Sequence, residues 1–334
     1  MAIPRKYLLS QFDGVGVYHC VSRVVDRNFV FEAHEREVFH KTLRQVEAFS
    51  GVRVLTWTIL SNHFHVLVDV PRPEELDDEG ILRRCRELYS SEAMLAVEWE
   101  YENAVRLGAK SHQQWRLKYL RRMWDLSEFM KTLKQKFTTW FNRKHGREGT
   151  LWERRFKSVL VEGRWNSILK VAAYIDLNAV RAGMVSDPKD YRWCGYGQAV
   201  AGERIARQGL VEAMRSEQPK SDWRHVSAAY RQLIFGISGA RQPGKPEITP
   251  SEVAKVWNEG GKLSIAQLLR CRIRYFTDGV AIGSEEFLER FFSTHRSLFS
   301  ENRETGSRVM ARGDWGELRS MRALVRNAIG PPEA

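Results

Sequence analysis

The sequence predicts an α+β protein whose core is a ferredoxin-like split βαβ arrangement, with a helical insertion and a helical C-terminal region. The order of segments supports this prediction, because stretches rich in β-formers alternate with amphipathic helices as β-α-β-β-α-β. Two of the strands follow one another across a tight turn at Ser61-Asn62, and Pro71 and Pro73 end the second of them. Such a core has an antiparallel sheet with helices on one face.

The first part of the chain supplies three strands and one helix. We expect strands at 15–23, 52–60 and 63–70, and a helix at 32–49 that Gly51 ends. In this order of elements the first and third strands are neighbours at the centre of the sheet.

Residues 74–125 are charged and mostly helical in character, and they form the predicted insertion, with a loop at 77–80. We expect the aromatic residues of this insertion to pack against each other and not to stack on bases. The clearest helix of the chain follows at 126–145, where apolar residues recur at helical spacing.

The elements after this helix complete the core. A strand is predicted at 158–162, and a further helix begins at a cap, Asn166 or Ser167, and ends before Gly183. On that helix Tyr174, Asn178 and Arg181 lie at i, i+4 and i+7, which places them in a row on one side.

The chain divides into a first region at 1–200 and a mainly helical C-terminal region at 201–334. Glycines and prolines at 236–250 indicate a linker, and the best helices beyond it are at 264–275 and 284–292. A helix-turn-helix is one interpretation of these short helices, although nothing in the sequence defines a recognition helix. We expect the C-terminal region to add DNA contacts.

Composition favours a polyanionic partner. The formal net charge is +12 and 28% of residues are charged, which points to nucleic acid more simply than to an anionic membrane. The four cysteines form no CxxC pair, so a reducing compartment is expected, without a disulfide framework or zinc knuckle. Neither an apolar leader at 1–14 nor a membrane-spanning run is found, so we expect a soluble cytoplasmic protein.

Two histidines stand out on the third predicted strand. Alternation puts His63 and His65, with Leu67 and Asp69, on one face of that strand, while its other face is apolar. Two imidazoles at i and i+2 can reach one metal ion. Two ligands do not make a metal site, so a pair of ordinary half-exposed strand histidines stays open at this point.

Basic residues cluster in three places along the chain. The segment after the clearest helix carries Arg154, Arg155 and Lys157, which suit contacts to a nucleic-acid backbone. Lys131 and Lys134 lie on that helix, where lysines are dense enough to suggest a phosphate-facing surface. The third group is a short basic start that contains Arg5 and Lys6, and Arg23 on the first strand is a further candidate for DNA contact.

Four segments together resemble the HUH single-tyrosine transposases, and most of all the REP-associated tyrosine transposases. Asn62-His63-Phe64-His65 is similar to the His-hydrophobic-His motif, and Val17-Tyr18-His19 with Arg23 resembles the first strand. The segments 151–158 (LWERRFKS) and 174–183 (YIDLNAVRAG) resemble the approach to the last strand and the tyrosine helix. One departure is Ala179, where the family usually has proline.

The resemblance implies cleavage and rejoining of single-stranded DNA at hairpin or palindromic repeats. Tyr174 would be the nucleophile that forms a 5′-phosphotyrosine link, and Asn178 would join His63 and His65 as the third ligand of Mg²⁺ or Mn²⁺. A phenol, with a pKa near 10, needs such help at neutral pH. Arg181 is expected to contact phosphate or to support the structure. A monomer or a homodimer is compatible with the resemblance.

Two other functions stay open. A DNA-binding regulator would keep the fold without turnover, although the presence of every implied catalytic residue favours the enzyme. A metal-dependent phosphodiesterase would use water as its nucleophile, and it predicts that phenylalanine at position 174 retains activity.

Overall fold

The structure is a computed structural model that describes residues 16–214, 222–235, 263–311, 313–322 and 329–330. Arg5, Lys6 and the predicted linker at 236–250 lie outside the described residues. Among those described, no helix has the length and apolar character that a membrane crossing requires.

A mixed sheet of seven strands, in the order β2-β3-β1-β4-β6-β8-β7, organises the described part of the chain. Its first four strands are antiparallel and confirm the predicted split βαβ order, with β1 and β3 paired at the centre. These strands are β1 (Gly16–Arg23), β2 (Arg53–Ile59), β3 (His63–Val70) and β4 (Lys157–Val161).

The two crossover helices lie on one face of this sheet, as predicted, and a third helix covers the other face. On the first face α1 (Ala33–Ser50) packs beside α5 (Leu126–Lys144). The Phe39 ring there lies 4.6 Å from Phe64 of β3 and 5.0 Å from Phe137 of α5. The opposite face holds α6 (Trp165–Asp176), so β3 is covered on both sides.

The insertion is helical, as expected, and consists of α2 (Asp78–Leu88), α3 (Ser91–Arg106) and α4 (Ala109–Leu120). The loop predicted at 77–80 is instead the start of α2, because the Asp77 carboxylate accepts a hydrogen bond from Gly80 N and caps the helix. Five of the six aromatic residues of the insertion pack, whereas Trp99 is 66% exposed.

The cap predicted for α6 is wrong. Neither Asn166 nor Ser167 caps the helix, which begins at Trp165 after Arg164, and the Ser167 hydroxyl lies 3.4 Å from the Glu162 carboxylate. The predicted single helix is divided at Leu177 into α6 and α7 (Asn178–Arg181). Gly183, at φ 67°, ends it as expected, because this left-handed backbone favours glycine.

The C-terminal region is mainly helical, as predicted, but it also contains strands that the sequence did not predict. β6 (Ala281–Gly283) pairs with β4 in parallel, and β8 (Arg319–Ser320) and β7 (Arg308–Val309) extend the sheet from there. The helix α8 (Gly195–Ala201) lies at the start of this region, and the helices described within it are α9 (Arg204–Met214), α10 (Trp223–Phe235), α11 (Ile265–Leu268), α12 (Tyr275–Asp278) and α13 (Glu285–Thr294).

The predicted helix at 264–275 is interrupted. α11 is followed by β5 (Arg272–Ile273), which pairs with β9 (Ile329–Gly330) before α12 begins. Strands of two or three residues are too short to show a periodic pattern, so the sequence has no signal for them. The division of the chain near residue 200 stays a prediction, and the core is continuous across that position.

The buried carboxylate of Asp176 ties α6 to the sheet and to the C-terminal region. It accepts hydrogen bonds from the hydroxyl of Thr56 on β2 at 2.9 Å and from the hydroxyl of Tyr230 on α10 at 2.5 Å. The backbone N–H of Tyr196 on α8 donates a third at 3.1 Å. Burial raises the pKa of Asp176 to about 7. Four elements therefore depend on one side chain.

We expect Asp176→Ala to lower the free energy of unfolding by about 3 kcal/mol or more, because it leaves buried donors without an acceptor. Urea denaturation followed by circular dichroism measures this change. The control is Glu102→Ala on an exposed face of α3, which should stay within about 0.5 kcal/mol of the unchanged protein. A loss for Asp176→Ala no larger than for the control would contradict the role of this network.

Candidate active site

One face of the central strands collects polar side chains at one end of the sheet. The register places Arg23 of β1 directly opposite His63 of β3, and Val21 opposite His65. His19 faces Leu67, so it is a diagonal neighbour of His65 on the same face.

The tyrosine helix lies across this face. The hydroxyl of Thr58 on β2 donates to the Ile175 carbonyl at 2.7 Å, which holds the end of α6 against the sheet. The Tyr174 ring meets His65 and His19 edge-on, with ring centroids 6.4 Å and 6.2 Å apart. The structure thus brings Tyr174 and the predicted histidine pair together.

Asn178, one turn after Tyr174, is oriented by the end of α6. Its amide nitrogen donates to the carbonyls of Ile175, at 3.0 Å, and Tyr174, at 3.3 Å. With the nitrogen so engaged, the amide oxygen stays available as an acceptor or a ligand.

The side chains of His63, His65, Tyr174 and Asn178 line a single cavity of about 370 Å³. Seven arginines and lysines also line it, against two carboxylates, so the cavity is strongly positive. The basic residues are Arg23, Arg27, Arg154, Arg155, Lys157, Arg181 and Arg272, and the acidic ones are Glu153 and Asp278.

Hydrogen bonds determine which nitrogen of each predicted histidine ligand carries its proton. The Asn62 amide nitrogen donates to the Arg27 carbonyl at 3.0 Å, so its amide oxygen faces His63 Nδ1, 2.7 Å away. His63 Nδ1 must then be the donor. His65 Nδ1 lies 2.8 Å from His19 Nε2. Both Nδ1 atoms are engaged, which leaves the Nε2 atoms as the available metal ligands.

Burial keeps these imidazoles neutral. It lowers the pKa of His63 to about 3, and it lowers the pKa of His65 well below the ordinary value of 6.5. Nearby positive charge, including that of Arg181 and Arg23, acts in the same direction. Neutral imidazole is the form that binds metal, so the pair is ready to bind at neutral pH.

The donor set fits a hard divalent ion. His63, His65 and Asn178 line one cavity, and two imidazole nitrogens with one amide oxygen are donors that Mg²⁺ or Mn²⁺ accepts. Over the described ranges, no group of three or more His, Cys, Asp or Glu side chains is placed to hold a metal ion. His19 is no ligand, because both of its nitrogens are engaged within the protein.

The predicted DNA-binding residues separate into two groups. Five of them line the cavity, whereas the two lysines of α5 do not. Lys134 donates to the Arg154 carbonyl at 2.9 Å and so supports the basic segment, and Lys131 pairs with Glu128 on its own helix. The five at the cavity are Arg23, Arg154, Arg155, Lys157 and Arg181.

Arg181 combines structural contacts with a position at the cavity. Its guanidinium lies over the Tyr174 ring, with Cζ 3.9 Å from the ring centroid. It also donates to the carbonyls of Tyr174, at 2.7 Å, and of Leu269, at 2.6 Å. These contacts orient the tyrosine ring and add positive charge beside it.

Sequence reasoning missed the contribution of the C-terminal region to the site. Arg272, Thr277 and Asp278 line the cavity, and the Phe276 ring packs edge-on against Tyr174 at 5.1 Å. No local pattern signals such distant contacts. His19 had a weak signal, as a third histidine on a strand predicted to neighbour β3.

Acid should destabilise the fold. Burial lowers the pKa of His19 and of His40 to about 4, in addition to the two histidines above. Between pH 6.5 and about 4 the unfolded chain binds more protons, so the free energy of unfolding falls as the pH falls. Burial raises the pKa of three carboxyl groups, those of Asp176, Glu47 and Asp69, and these act in the opposite direction, but they are fewer than the four histidines.

Urea midpoints at pH 7.5 and 5.0 measure this dependence, and we expect a lower midpoint at pH 5.0. Replacement of the exposed His225 by alanine should leave the dependence unchanged, whereas His40→Phe should reduce it. An equal or higher midpoint at pH 5.0 would show that the buried histidines do not titrate as described.

Comparisons with known proteins add a family match to this geometry. Residues 15–79 match the family model described as "Transposase IS200 like". The chain is also similar to a solved structure of a REP-associated tyrosine transposase bound to a REP hairpin, at 16% identity and a TM-score of 0.35, covering 56% of this chain and 80% of that one. No curated protein matches the chain.

The matched segment runs from β1 into the start of α2 and contains both His63 and His65. Tyr174 and Asn178 lie beyond it. Over these residues the chain is similar to IS200-like transposases, which agrees with the resemblance predicted from its sequence.

Proposed function

We propose that the protein is a metal-dependent DNA strand transferase of the tyrosine transposase type, which cuts and rejoins single-stranded DNA. The observation that carries this proposal is the cavity in which Tyr174 lies beside two neutral histidines, whose Nε2 atoms are available, and beside Asn178. A basic rim surrounds these groups, and a phosphodiester is the substrate that such a combination suits.

The reaction exchanges one phosphodiester for another. The Tyr174 oxygen attacks the scissile phosphorus and loses its proton, the new O–P bond forms, and the bond to the 3′ oxygen breaks. That oxygen takes up a proton and leaves as a 3′-hydroxyl, while the 5′ end stays linked to the enzyme. Attack by another 3′-hydroxyl reverses the step and joins two strands, because the phosphotyrosine ester retains the bond energy.

His63, His65 and Asn178 would hold Mg²⁺ or Mn²⁺ through two nitrogens and one oxygen. When bound, such an ion polarises the phosphate and stabilises the charge that develops on its oxygens. The protein's own part is to hold the tyrosine ring, through Arg181 and Phe276, at the same cavity as the ligands.

The substrate would be held by its backbone. Arg154 and Arg155 follow α5 at the rim of the cavity and suit phosphate contacts, which position DNA without reading its sequence. From the resemblance we propose hairpin or palindromic repeat DNA as the target. Because Tyr174 and the histidines belong to one chain, a monomer suffices for a complete site.

Covalent trapping tests the chemistry. With labelled single-stranded hairpin oligonucleotides and Mn²⁺, the unchanged protein should give an adduct on denaturing gels. Tyr174→Phe should reduce the adduct by at least about 10³-fold, because it removes the nucleophile but keeps the ring. His63→Ala should abolish the metal-dependent adduct.

Tyr101→Phe in the insertion is the matched control and should form the adduct as the unchanged protein does. Cleavage that survives Tyr174→Phe would favour water as the nucleophile. Tight binding without adduct or cleavage would favour a DNA-binding regulator.

The salt dependence of DNA binding tests the basic rim. Each of Arg154→Ala and Arg155→Ala should weaken hairpin binding and reduce the slope of log K against log salt by about 1, because one phosphate contact is lost. Fluorescence anisotropy at several salt concentrations measures the slope. Arg83→Ala, on an exposed part of α2 in the insertion, should leave it unchanged. Equal slopes for the unchanged protein and the three variants would show that the DNA backbone does not contact Arg154 or Arg155.

A further inference from the structure

His19 is a buried imidazole that lies behind the candidate metal ligands. It is on β1, is 1% exposed, and both of its ring nitrogens are engaged. Its Nδ1 lies 2.7 Å from the main-chain oxygen of Phe276, and its Nε2 lies 2.8 Å from His65 Nδ1. The three residues form a hydrogen-bonded chain that ends at the cavity.

The main-chain carbonyl determines the direction of every hydrogen bond in this chain. A carbonyl oxygen only accepts, so His19 Nδ1 must carry the proton. A neutral imidazole has one N–H, which leaves a lone pair on His19 Nε2. His65 Nδ1–H therefore donates to it, and the lone pair of His65 is on Nε2, the nitrogen that remains for a metal.

His19 has no alternative state that would reverse this order. The ring is 1% exposed, and neither of its two hydrogen-bond partners, a main-chain carbonyl and an imidazole, is an acidic side chain whose negative charge would stabilise a protonated ring. Among the residues that the structure describes, neither nitrogen has a further hydrogen-bond partner.

The two candidate ligands are oriented from different parts of the fold. His63 is oriented by its sequence neighbour Asn62, which the Arg27 carbonyl holds. His65 is oriented by its hydrogen bond to His19, which lies 46 positions away in the sequence. His19 is in turn oriented by its hydrogen bond to the Phe276 carbonyl, 257 positions from His19. The C-terminal region is thereby connected to His65 through His19.

We propose that His19 is a positioning residue that holds His65 in the tautomer required for metal binding, and that the Phe276 carbonyl of the C-terminal region anchors it. The inference rests on the proposed function, because it assigns His65 as a ligand. It gives the C-terminal region a role inside the active site, in addition to any contact with DNA.

Loss of His19 should release His65 to exchange tautomers. Without an acceptor at Nδ1, the proton can move to Nε2, and that nitrogen then no longer offers a lone pair. Removal of a partner that orients a metal-bound histidine typically costs about 10–100-fold in metal affinity.

The test compares Mn²⁺ affinity, by calorimetry or electron paramagnetic resonance, in DNA-free full-length protein. We expect His19→Phe to weaken binding by about 10–100-fold. His19→Gln should recover most of the affinity, because its amide oxygen can accept from His65 near the position of Nε2. His40→Phe, which removes another buried imidazole, is the matched control and should bind as the unchanged protein does.

A second readout reports the tautomer directly. In metal-free protein with ¹⁵N-labelled histidine, NMR should show the His65 proton on Nδ1, and His19→Phe should shift it toward Nε2. A merely structural role of His19 would lower stability without this shift.

The proposal is overturned if the unchanged protein holds the His65 proton on Nε2. It is also overturned if folded His19→Phe binds Mn²⁺ as tightly as the unchanged protein, or if folded His19→Gln binds no more tightly than His19→Phe. Should the unchanged protein bind no Mn²⁺, the proposed metal chemistry fails, while the tautomer measurement still decides the role of His19. If His19→Phe does not fold, two measurements still test the proposal: the tautomer of His65 in the unchanged protein, and the Mn²⁺ affinity of His19→Gln.

Discussion

The position of α6 on the polar face of the sheet is the constraint on which the rest of the structure depends. Two threonines of β2 fix the position of this helix. The Thr58 hydroxyl donates a hydrogen bond to the Ile175 carbonyl, and the Thr56 hydroxyl donates one to the Asp176 carboxylate. Tyr174 lies just before these anchors, so a small shift of the helix would move the phenol away from the histidines. A buried carboxylate is costly unless its partners are complete, and Asp176 has donors from three elements.

The electrostatic character of the cavity follows from how it is built. Arginines and lysines come from β1, from the segment before β4 and from the C-terminal region, and few carboxylates balance them. This positive charge favours a phosphate and disfavours protonated histidine, so it adds to burial, the larger cause, in keeping His63 and His65 neutral. The residues that would attract DNA therefore also help to keep the candidate ligands in the form that binds metal.

The C-terminal region is part of the architecture of the site. Its strand β6 adds to the sheet beside β4, and this pairing brings α12 against β1 and β4. From there the region supplies a carbonyl to His19, a ring to Tyr174 and, through Leu269, a carbonyl to Arg181. Its role therefore differs from that of a separate DNA-binding appendage.

The sequence by itself determined the order of the first four strands, the shared face of His63 and His65, and the row of Tyr174 and Asn178. These features follow from local periodicity, because side-chain direction repeats every two residues on a strand and every three or four on a helix. Only the tertiary structure decided which nitrogens the histidines present, where Lys131 and Lys134 point, and that Phe276 reaches His19. Such contacts join residues far apart in the chain, and no local pattern encodes a hydrogen bond across 257 positions.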